Sequence, residues 1–540
     1  SGASSAASFA GEYRFDAIHL RGGAGLDAGD PVEVTDFDLV ESTRLPPLVI
    51  ADDLTVRSDS SVTASSGSSL DLVASSLLVE AGGELTMAGR GYGGGNNSDT
   101  SGRGPDGIVR ARSRAGGSYG GVGKDGTYAG NVGEVYGSVY VPQSLGAGGG
   151  RGSSGENGGA GGGRITLDAT SVTIDGDVRV SGNRISGTYA GAGAGGTLVV
   201  YAQTLTGSGA IYADGGDDKR TNSRYGGLGG GGRVALWADQ VVGFDPATQV
   251  FAEGGSRIET SGAQNHHAAA GTVFVKQTGD TWGELIVQAH RAGTEVRATV
   301  LPSLGEGAVV AATGDGADLV ITGAEAFRPR WRGVWVTLLD AAGAELGSYR
   351  TAAVTADGAL RLEGASTVSG AVSYRGEYRF DRMTVLGGAA VDTDVPITVA
   401  EVELRDEARL PNRLAATDLT LRAGAVVRPA VGSDLHLEVS GTLHIEAGAE
   451  IDLYARGYDG GAGSDTLGHS PAGVGRAPYR VGGSHGGVGR HGSTSNRAAE
   501  EHDSVYVPSY AGAGGGRGSS GENGGDGGGL LVIDAGQVIL

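Results

Sequence analysis

Apolar and polar residues alternate in short runs along much of this chain, and several of the runs follow a stretch of glycine. Four runs align on their first glycine as GRITLDA, GTLVVYA, GRVALWA and GTVFVKQ, starting at Gly163, Gly196, Gly232 and Gly271. Alternation with a period of two predicts strands that bury one face. The spacings of 33, 36 and 39 residues between these glycines predict stacked turns of a right-handed parallel β-helix.

Each predicted turn contains two further short apolar runs. In the first turn the three strands are predicted at Ile165–Leu167, Val172–Ile174 and Val178–Val180. A sandwich of antiparallel hairpins also accommodates such strands, but hairpin connections are much shorter than these glycine-rich excursions. The pattern therefore favours an all-β solenoid with inward-facing aliphatic ladders.

The pattern before the first glycine tract is tighter. Strand starts recur about every eight residues, at Leu54, Val62, Leu70, Leu77 and Leu85. This spacing predicts narrower turns of the same β-helix.

The middle of the chain has a different pattern. Residues 291–370 lack glycine tracts, and VWVTLLD and LGSYRTAAV around AAGAE predict a β-hairpin. We therefore predict a strand junction over residues 1–50, a glycine-rich β-helix block over 51–290, a small antiparallel β domain over 291–370 and a second β-helix block over 371–540.

The sequence repeats itself at an offset of about 365 residues. GEYRFD occurs at Gly11–Asp16 and Gly376–Asp381, and GAGGGRGSSGENGG occurs letter for letter at Gly146–Gly159 and Gly512–Gly525. SVYVP and other short motifs recur at the same spacing. The chain holds one full unit and about half of a second, so we expect it to be a segment of a longer tandem array.

Glycine accounts for 105 of the 540 residues, and two long tracts, Gly89–Gly163 and Gly457–Gly529, are especially rich in it. The absence of a three-residue period excludes collagen. Flexible linkers are one interpretation. The same glycine spacing in both copies favours ordered strands of the polyglycine II type, which pack through contacts that only glycine permits. We expect such sheets to present a broad surface decorated with tyrosines and arginines, with the tyrosines at Tyr92, Tyr119, Tyr128, Tyr136 and Tyr140.

Charge and cysteine content exclude several functions. The formal net charge is −21 and no basic stripe is present, which disfavours nucleic-acid binding. The chain has no cysteine, so it has no disulfides and no thiolate metal ligands. No apolar window is long enough to span a membrane, and the first residues do not read as a signal peptide.

The motifs GGSYGG, YGSVYVP, LGAGGG, GENGGAGGGRITLDA and VTIDGDVRVSG together resemble the glycine-rich β-helix modules of giant bacterial surface and secreted proteins. The resemblance covers Gly11–His290 and Gly376–Leu540. It implies a non-catalytic, adhesin-like role outside the cell or at the cell surface of a bacterium. The sequence is also similar, more loosely, to the glycine-rich tips of phage tail fibres.

Two acidic segments are weak candidates for calcium binding. GGAGSDTLG contains Asp465 and fits one copy of a calcium-binding nonapeptide, which normally needs consecutive copies. Asp214 and Asp217 lie in the acidic loop DGGDD, whose carboxylates could bind a cation or simply face water. No other cofactor is predicted.

Catalytic residues are not predicted. Some β-helices act on glycans with carboxylates clustered on one face, but the outward positions here are Thr166, Val199, Ala235 and Phe274. Glu156 and Glu522 recur between the copies and are the carboxylates to test.

The sequence favours a structural, adhesive tandem-repeat segment, a stalk or adhesin, that binds a glycan or cell-surface ligand, or a neighbouring copy. The alternatives are the protomer of a self-assembling extracellular fibre, a phage tail-fibre-like binding protein and a glycan-active enzyme.

Overall fold

The computed structural model describes residues 13–26, 32–65, 67–126, 132–153, 155–185, 189–218, 226–257, 266–289, 295–328, 331–429, 434–490, 499–519 and 521–540. Tyr128, one of the tyrosines expected on the glycine-rich surface, lies outside these residues. The fold is nearly all β, with 43% strand and 1% helix, which confirms the all-β class.

Within the described residues, the strands and one short helix are, in chain order, β1 (Tyr13–Leu20), β2 (Val32–Leu39), β3 (Ser42–Leu45), β4 (Leu48–Val56), β5 (Ser61–Ala64), β6 (Ser69–Val79), β7 (Glu84–Thr86), β8 (Arg164–Ile174), β9 (Asp177–Arg179), β10 (Thr197–Thr206), β11 (Ala210–Tyr212), β12 (Arg233–Val242), α1 (Pro246–Gln249), β13 (Val250–Phe251), β14 (Ser256–Arg257), β15 (His266–His267), β16 (Thr272–Lys276), β17 (Glu284–Gln288), β18 (Glu295–Val296), β19 (Thr299–Val300), β20 (Glu306–Asp315), β21 (Asp318–Gly323), β22 (Trp335–Leu339), β23 (Glu345–Val354), β24 (Leu360–Leu362), β25 (Ser373–Leu386), β26 (Val391–Asp392), β27 (Ile397–Leu404), β28 (Glu407–Ala408), β29 (Arg413–Leu421), β30 (Val426–Val427), β31 (Leu435–Ile445), β32 (Glu450–Ile451) and β33 (Leu531–Ile539).

The chain forms two compact units, Ser1–Asp381 and Arg382–Leu540, called unit 1 and unit 2 below. The boundaries proposed from the sequence at residues 50, 290 and 370 remain predictions.

One parallel ladder of strands runs through unit 1. Its members pair in the order β1, β2, β4, β6, β8, β10, β12 and β16. Strands β6 and β8 are direct neighbours, although the whole first glycine tract separates them along the chain. Arg164 pairs with Thr197, Thr197 with Arg233, and Arg233 with Thr272. The glycine spacings of the sequence are therefore the registers of this ladder.

Each long strand turns a corner at the same place in its layer. In β4 the buried positions alternate by two residues on either side, but the step from Ala51 to Leu54 is three residues. β2, β8 and β29 show the same step, and their pairing skips the residue next to it. The sequence analysis predicted two separate strands at Ile165–Leu167 and Val172–Ile174. They are two arms of the single strand β8, because pairing resumes directly after the corner.

A second, shorter parallel ladder completes the layers of unit 1. It consists of β3, β5, β7, β9, β11 and β13. Its inward positions stack in one column, formed by Thr43, Val62, Leu85, Val178, Ile211 and Val250, all of which are buried. Predicted strand Val178–Val180 is thus β9, displaced by one residue.

The core of unit 1 is a stack of aliphatic side chains. One column of the long ladder consists of Val32, Val49, Leu72, Leu167, Val200, Leu236 and Val275. Each of these side chains is almost wholly shielded from solvent. Burial of a Val or Leu side chain stabilises a fold by about 1.5–3 kcal/mol, so the column ties every layer to its neighbours.

The middle segment of unit 1 is antiparallel. β22 and β23 form the hairpin predicted from the sequence, with Trp335 opposite Arg350 and a bulge near Leu339. β20, β21, β24 and the first part of β25 also pair antiparallel. This segment has its own core around Trp331, Val336 and Leu360.

Unit 2 repeats the start of unit 1. β27, β29, β31 and β33 pair in parallel, and β28, β30 and β32 form the shorter ladder. The bounds of β27 and β29 are those of β2 and β4 moved by 365 residues. Sequence repetition therefore produces repetition of strand bounds and pairing.

Replacing Leu167 by Ala should lower the free energy of unfolding of unit 1 by about 2–5 kcal/mol, because the change leaves a cavity in the column. Thr166→Ala, on the opposite face of the same strand, is the control and should stay within about 0.5 kcal/mol. Urea unfolding followed by circular dichroism measures both. Equal effects of the two substitutions would contradict this core.

Candidate functional site

A shallow groove follows the corner of the long ladder in each unit. In unit 1 the groove has a volume of about 400 Å³ and crosses β1, β2 and β4. In unit 2 it has a volume of about 530 Å³ and crosses β27, β29, β31 and β33. Val34 and Ala51 in unit 1 correspond to Val399 and Ala416 in unit 2, so the two grooves overlap on two equivalent strands, β2 and β4 in unit 1 and β27 and β29 in unit 2.

The groove in each unit is lined mainly by polar and small side chains. Its polar lining is Arg14, Asp16, Glu33, Thr35 and Asp52 in unit 1, and Thr398, Thr417, Glu438, Ser440 and Asp534 in unit 2. Carboxylates and hydroxyls on an open surface suit hydrogen bonding to a hydroxyl-rich ligand.

The glycine tract of unit 1 forms a hydrogen-bonded array without regular β pairing. Gly91 N–H donates to Gly161 O, Gly95 N–H to Gly149 O, and Gly158 N–H back to Gly95 O, at 2.6–2.9 Å. Later layers join the array, since Gly230 N–H donates to Gly117 O and Gly231 N–H to Ala269 O. Each extended segment thus bonds to several neighbours instead of two.

Close approach of backbones explains why these positions are glycine. A Cβ atom on Gly159 would meet the carbonyl oxygen of Asn183 at 2.5 Å. Cβ atoms on Gly146, Gly161 and Gly193 would lie still closer to carbonyl oxygens. The Cα hydrogens point at those oxygens instead, a weak contact that recurs between packed backbones.

The same array forms in unit 2. Gly457 N–H donates to Gly527 O, and Gly461 N–H to Gly515 O, which are the bonds of Gly91 and Gly95 moved by 366 residues. Gly524 N–H donates to Gly461 O, as Gly158 does to Gly95 O. The identical tract sequence therefore specifies one hydrogen-bonding pattern.

Tyrosines of the first tract are buried, so the expectation of a tyrosine-decorated surface was wrong for Tyr119, Tyr136 and Tyr140. The Tyr119 hydroxyl lies 2.6 Å from Thr197 Oγ1, and the Tyr136 hydroxyl donates to Leu145 O at 2.6 Å. Burial raises the pKa of all three phenols above their ordinary value. The tract folds back over the strands, and its tyrosines fill the space between.

Tyr140, in the first SVYVP motif (Ser138–Pro142), anchors this fold-back against the GEYRFD strand. Its ring contacts those of Phe274 and Phe380 at centroid distances of 5.1 and 5.5 Å. Its hydroxyl donates to Arg379 O at 3.2 Å and accepts from Arg379 N–H at 3.0 Å. Trp237 Nε1–H donates to Tyr140 O at 2.9 Å.

Because the tract covers the strands, the prediction that one face of β10, β12 and β16 points outward to solvent was wrong. Val199, Ala235 and Phe274 were assigned to outward positions, yet all three are buried. The outer face of β10, β12 and β16 is therefore an internal surface of unit 1. Glu156 is half-buried with Oε2 lacking a hydrogen-bond partner among the described residues, and Glu522 is exposed.

Arg233 is a buried cation that the sequence analysis did not single out. Its Nε donates to Tyr136 O at 3.1 Å and its Nη1 to Thr272 Oγ1 at 2.8 Å. The guanidinium lies 5.6 Å from the centre of the Tyr119 ring. Burial lowers the pKa of Arg233 from its ordinary value. In the sequence, Arg233 is simply the first residue of a predicted strand. Its burial follows from tertiary packing, which the sequence pattern does not show.

The second SVYVP motif, Ser504–Pro508, has the same turn but no cover. Ser138 Oγ accepts from Tyr140 N–H and Val141 N–H, and Ser504 Oγ accepts likewise from Tyr506 N–H and Val507 N–H. Tyr140 is 2% exposed, whereas Tyr506 is 94% exposed. Two copies of one local structure thus differ only in what packs on them.

The predicted calcium ligands Asp214 and Asp217 connect successive layers. Asp214 Oδ1 accepts from Glu253 N–H at 2.9 Å, and Asp217 Oδ1 accepts from Ser256 N–H at 2.8 Å. Burial raises the pKa of Asp214 to about 8, and the charges of Glu253 and Asp217 add to this effect. A carboxyl that keeps its proton at neutral pH is a poor ligand for a hard cation.

Asp465, the third predicted ligand, is engaged locally. Its Oδ2 accepts from Arg476 Nη2 at 2.7 Å and lies 3.3 Å from His469 Nε2, while Oδ1 accepts from Leu467 N–H. The hydrogen bond from Arg476 lowers the pKa of Asp465. Within the described part of the chain, no three His, Cys, Asp or Glu side chains are grouped to hold a metal ion.

Comparison with known proteins gives no relative: no family model, no curated protein and no solved structure matches the chain. Among the described residues, no helix has the length and apolar character needed to cross a membrane.

Gly159→Ala should destabilise unit 1 by about 3 kcal/mol, because its methyl group would overlap the Asn183 carbonyl. Gly525→Ala is the matched control in unit 2, since nothing lies within 4 Å of a Cβ atom there. Urea unfolding should leave the second variant close to the parent chain. An unchanged Gly159→Ala variant would contradict the packed array.

Asp214 should make stability depend on pH. Because its folded pKa is raised to about 8, the folded chain holds a proton that the unfolded chain loses near pH 4. The stability this proton linkage contributes is lost as pH rises through that window. Asp214→Asn keeps the acceptor for Glu253 N–H without titrating. Its urea midpoint should exceed the parent's at pH 8, with a gain that shrinks towards pH 5. A constant difference would contradict the assignment.

Proposed function

We propose that the chain is a non-catalytic structural and adhesive segment of a large extracellular protein, in which each unit is a parallel β-helix that carries a glycine array of the polyglycine II type. The observation that carries the proposal is the layer-by-layer parallel register of unit 1, which recurs in unit 2. Repetition of a stacked layer is how repeat proteins build stiff spacers from local contacts.

The distribution of polar groups supports a structural role. The acidic side chains singled out from the sequence hold adjacent layers or local turns together, as the contacts of Asp214, Asp217 and Asp465 show. Other carboxylates bridge layers in the same way, such as Asp175 to Ser208 and Asp418 to Thr442. The net charge of −21 favours solubility of such a segment outside the cell.

Glycan binding is the adhesive activity that the grooves favour. A polar groove along the long strands of each unit, overlapping on two equivalent strands, offers two weak sites, and more than one weak site raises avidity without tight single contacts. The resemblance to bacterial surface modules supports the location outside the cell.

We expect the chain to bind polysaccharides from panels of bacterial and host glycans. It should not cleave them, so no new reducing ends should be released. Ser440→Trp places a large ring in the groove of unit 2. In a chain that can bind glycan only through this groove, the substitution should weaken the affinity for glycan at least tenfold. Ala342→Trp, in the exposed loop between β22 and β23, is the control.

Release of new reducing ends, lost in a Glu156→Gln or Glu522→Gln variant, would replace this proposal with a glycan-active enzyme. Concentration-dependent assembly into filaments, seen by electron microscopy, would favour the fibre protomer instead.

A further inference from the structure

Unit 1 shows what covers the outer side of a glycine array. The strand segment Gly191–Gly196, with the sequence GAGAGG, lies on the array and bonds to it along its length. Its carbonyls at Gly191, Ala192 and Ala194 accept from the N–H groups of Gly159, Gly117 and Gly162 at 2.8–2.9 Å.

The same segment also donates to the array. Gly191 N–H donates to Gly150 O and Ala194 N–H to Ala147 O, at 2.8 and 2.9 Å. Ala192 and Ala194 are fully buried. A Cβ atom on Gly193 would overlap the carbonyl of Ala160. The segment fits onto the array because its only residues are glycine and alanine, so that no side chain is larger than a methyl group.

In unit 2 the matching backbone groups have no hydrogen-bond partner among the described residues. Gly483, Gly525 and Gly528 correspond to Gly117, Gly159 and Gly162, and within the described residues their N–H groups donate to no acceptor. The carbonyls of Ala513 and Gly516, which correspond to Ala147 and Gly150, accept no hydrogen bond there either.

The space above these groups is open. An exposed hollow of about 530 Å³ is lined by residues of the array, among them Gly483, Gly525 and Gly528. No atom of the described residues lies within 4 Å of a Cβ built on Gly525 or Gly528, whereas Cβ atoms on Gly159 and Gly162 would overlap the next layer. Among the described residues, this surface matches the array of unit 1 without the Gly191–Gly196 strand.

We propose that this face of unit 2, defined by Gly483, Ala513, Gly516, Gly525 and Gly528, is a docking site for an extended glycine–alanine strand of the kind that Gly191–Gly196 forms in unit 1. The strand would bond to the face through five backbone hydrogen bonds, as its counterpart does in unit 1. Selectivity comes from sterics, because a side chain at either glycine of a G-A-G step would strike a backbone carbonyl.

The proposal does not depend on a stalk or adhesive function. It requires only that equivalent array positions bind the same kind of strand; Ala513, Gly516 and Gly525 lie in the stretch GAGGGRGSSGENGG that is identical in both copies, and Gly483 and Gly528 match glycines of unit 1 outside it. Backbone-mediated addition of a strand to an exposed edge is a common mode of recognition, although here the added strand bonds to three neighbours.

A chain extension tests the site without the entropy cost of bringing in a separate peptide. Leu540 corresponds to Ile174, so a copy of Asp175–Ala213 appended after Leu540 continues the repeat in register. The extension should raise the urea midpoint of unit 2.

Gly528→Val distinguishes docking on the array from simple strand addition to β33. In the parent chain this substitution should change the urea midpoint little, because no atom of the described residues lies within 4 Å of a Cβ atom built there. In the extended chain it should remove most of the added resistance. Gly193→Val made only in the appended segment should have the same effect, whereas Ala192→Gly there should be mild.

A fluorescent peptide of residues 175–213 provides a second readout by anisotropy. It should bind the parent chain and lose at least tenfold in affinity for the Gly528→Val variant. An extended chain whose midpoint is insensitive to both valine substitutions would overturn the proposal. Loss of glycan retention alone would affect only the proposed function.

Discussion

Contact between glycine backbones is the interaction on which the arrangement of this protein depends. Carbonyl oxygens of one segment approach the Cα atoms of the next so closely that a Cβ atom has no room, as at Gly159 and Gly161. Each contact is weak, and glycine loses the most conformational entropy on ordering. The array therefore cannot be expected to form alone. It forms where the strand ladder fixes both ends of every segment, as β6 and β8 do for the first tract.

The ladder and the array stabilise each other through a few large side chains. Tyr119 and Tyr140 reach from the tract to the strands, Tyr136 bonds within the tract to Leu145 O, and Arg233 reaches from a strand to Tyr136 O in the tract. These side chains turn a long insertion into a cover for the outer face of β10, β12 and β16. In unit 2, His485 stands where unit 1 has Tyr119, and Asp503 where it has Gly137; His485 Nε2 lies 3.0 Å from Asp503 Oδ2. The replacement of Tyr119 and Gly137 by the pair His485 and Asp503 keeps the turn of the SVYVP motif but changes the side chains that pack beside it.

The sequence predicted the features that depend on periodicity and repetition. The alternating runs predicted the strands, and the spacings between glycines match the registers in which β8, β10, β12 and β16 pair. The apolar runs on either side of the loop AAGAE predicted the hairpin of β22 and β23. Features that depend on which surfaces meet could not be predicted. Alternation alone cannot say that Val199 and Phe274 face a folded-back segment, nor that Tyr140 is buried and Tyr506 exposed in identical motifs. The docking face proposed for unit 2 likewise depends on which backbone groups are hydrogen-bonded in each copy, and the sequence of the two arrays does not show this.

Amide hydrogen exchange, read by mass spectrometry on peptides of the native chain, tests most directly whether the glycine tracts are ordered by backbone hydrogen bonds. We expect the N–H groups of Gly91, Gly95, Gly149 and Gly158 to exchange as slowly as those of β6 and β8, because each donates to a backbone carbonyl. Exchange of the whole tract from residue 89 to residue 163 at the rate of an unstructured chain, beside protected strands, would contradict it.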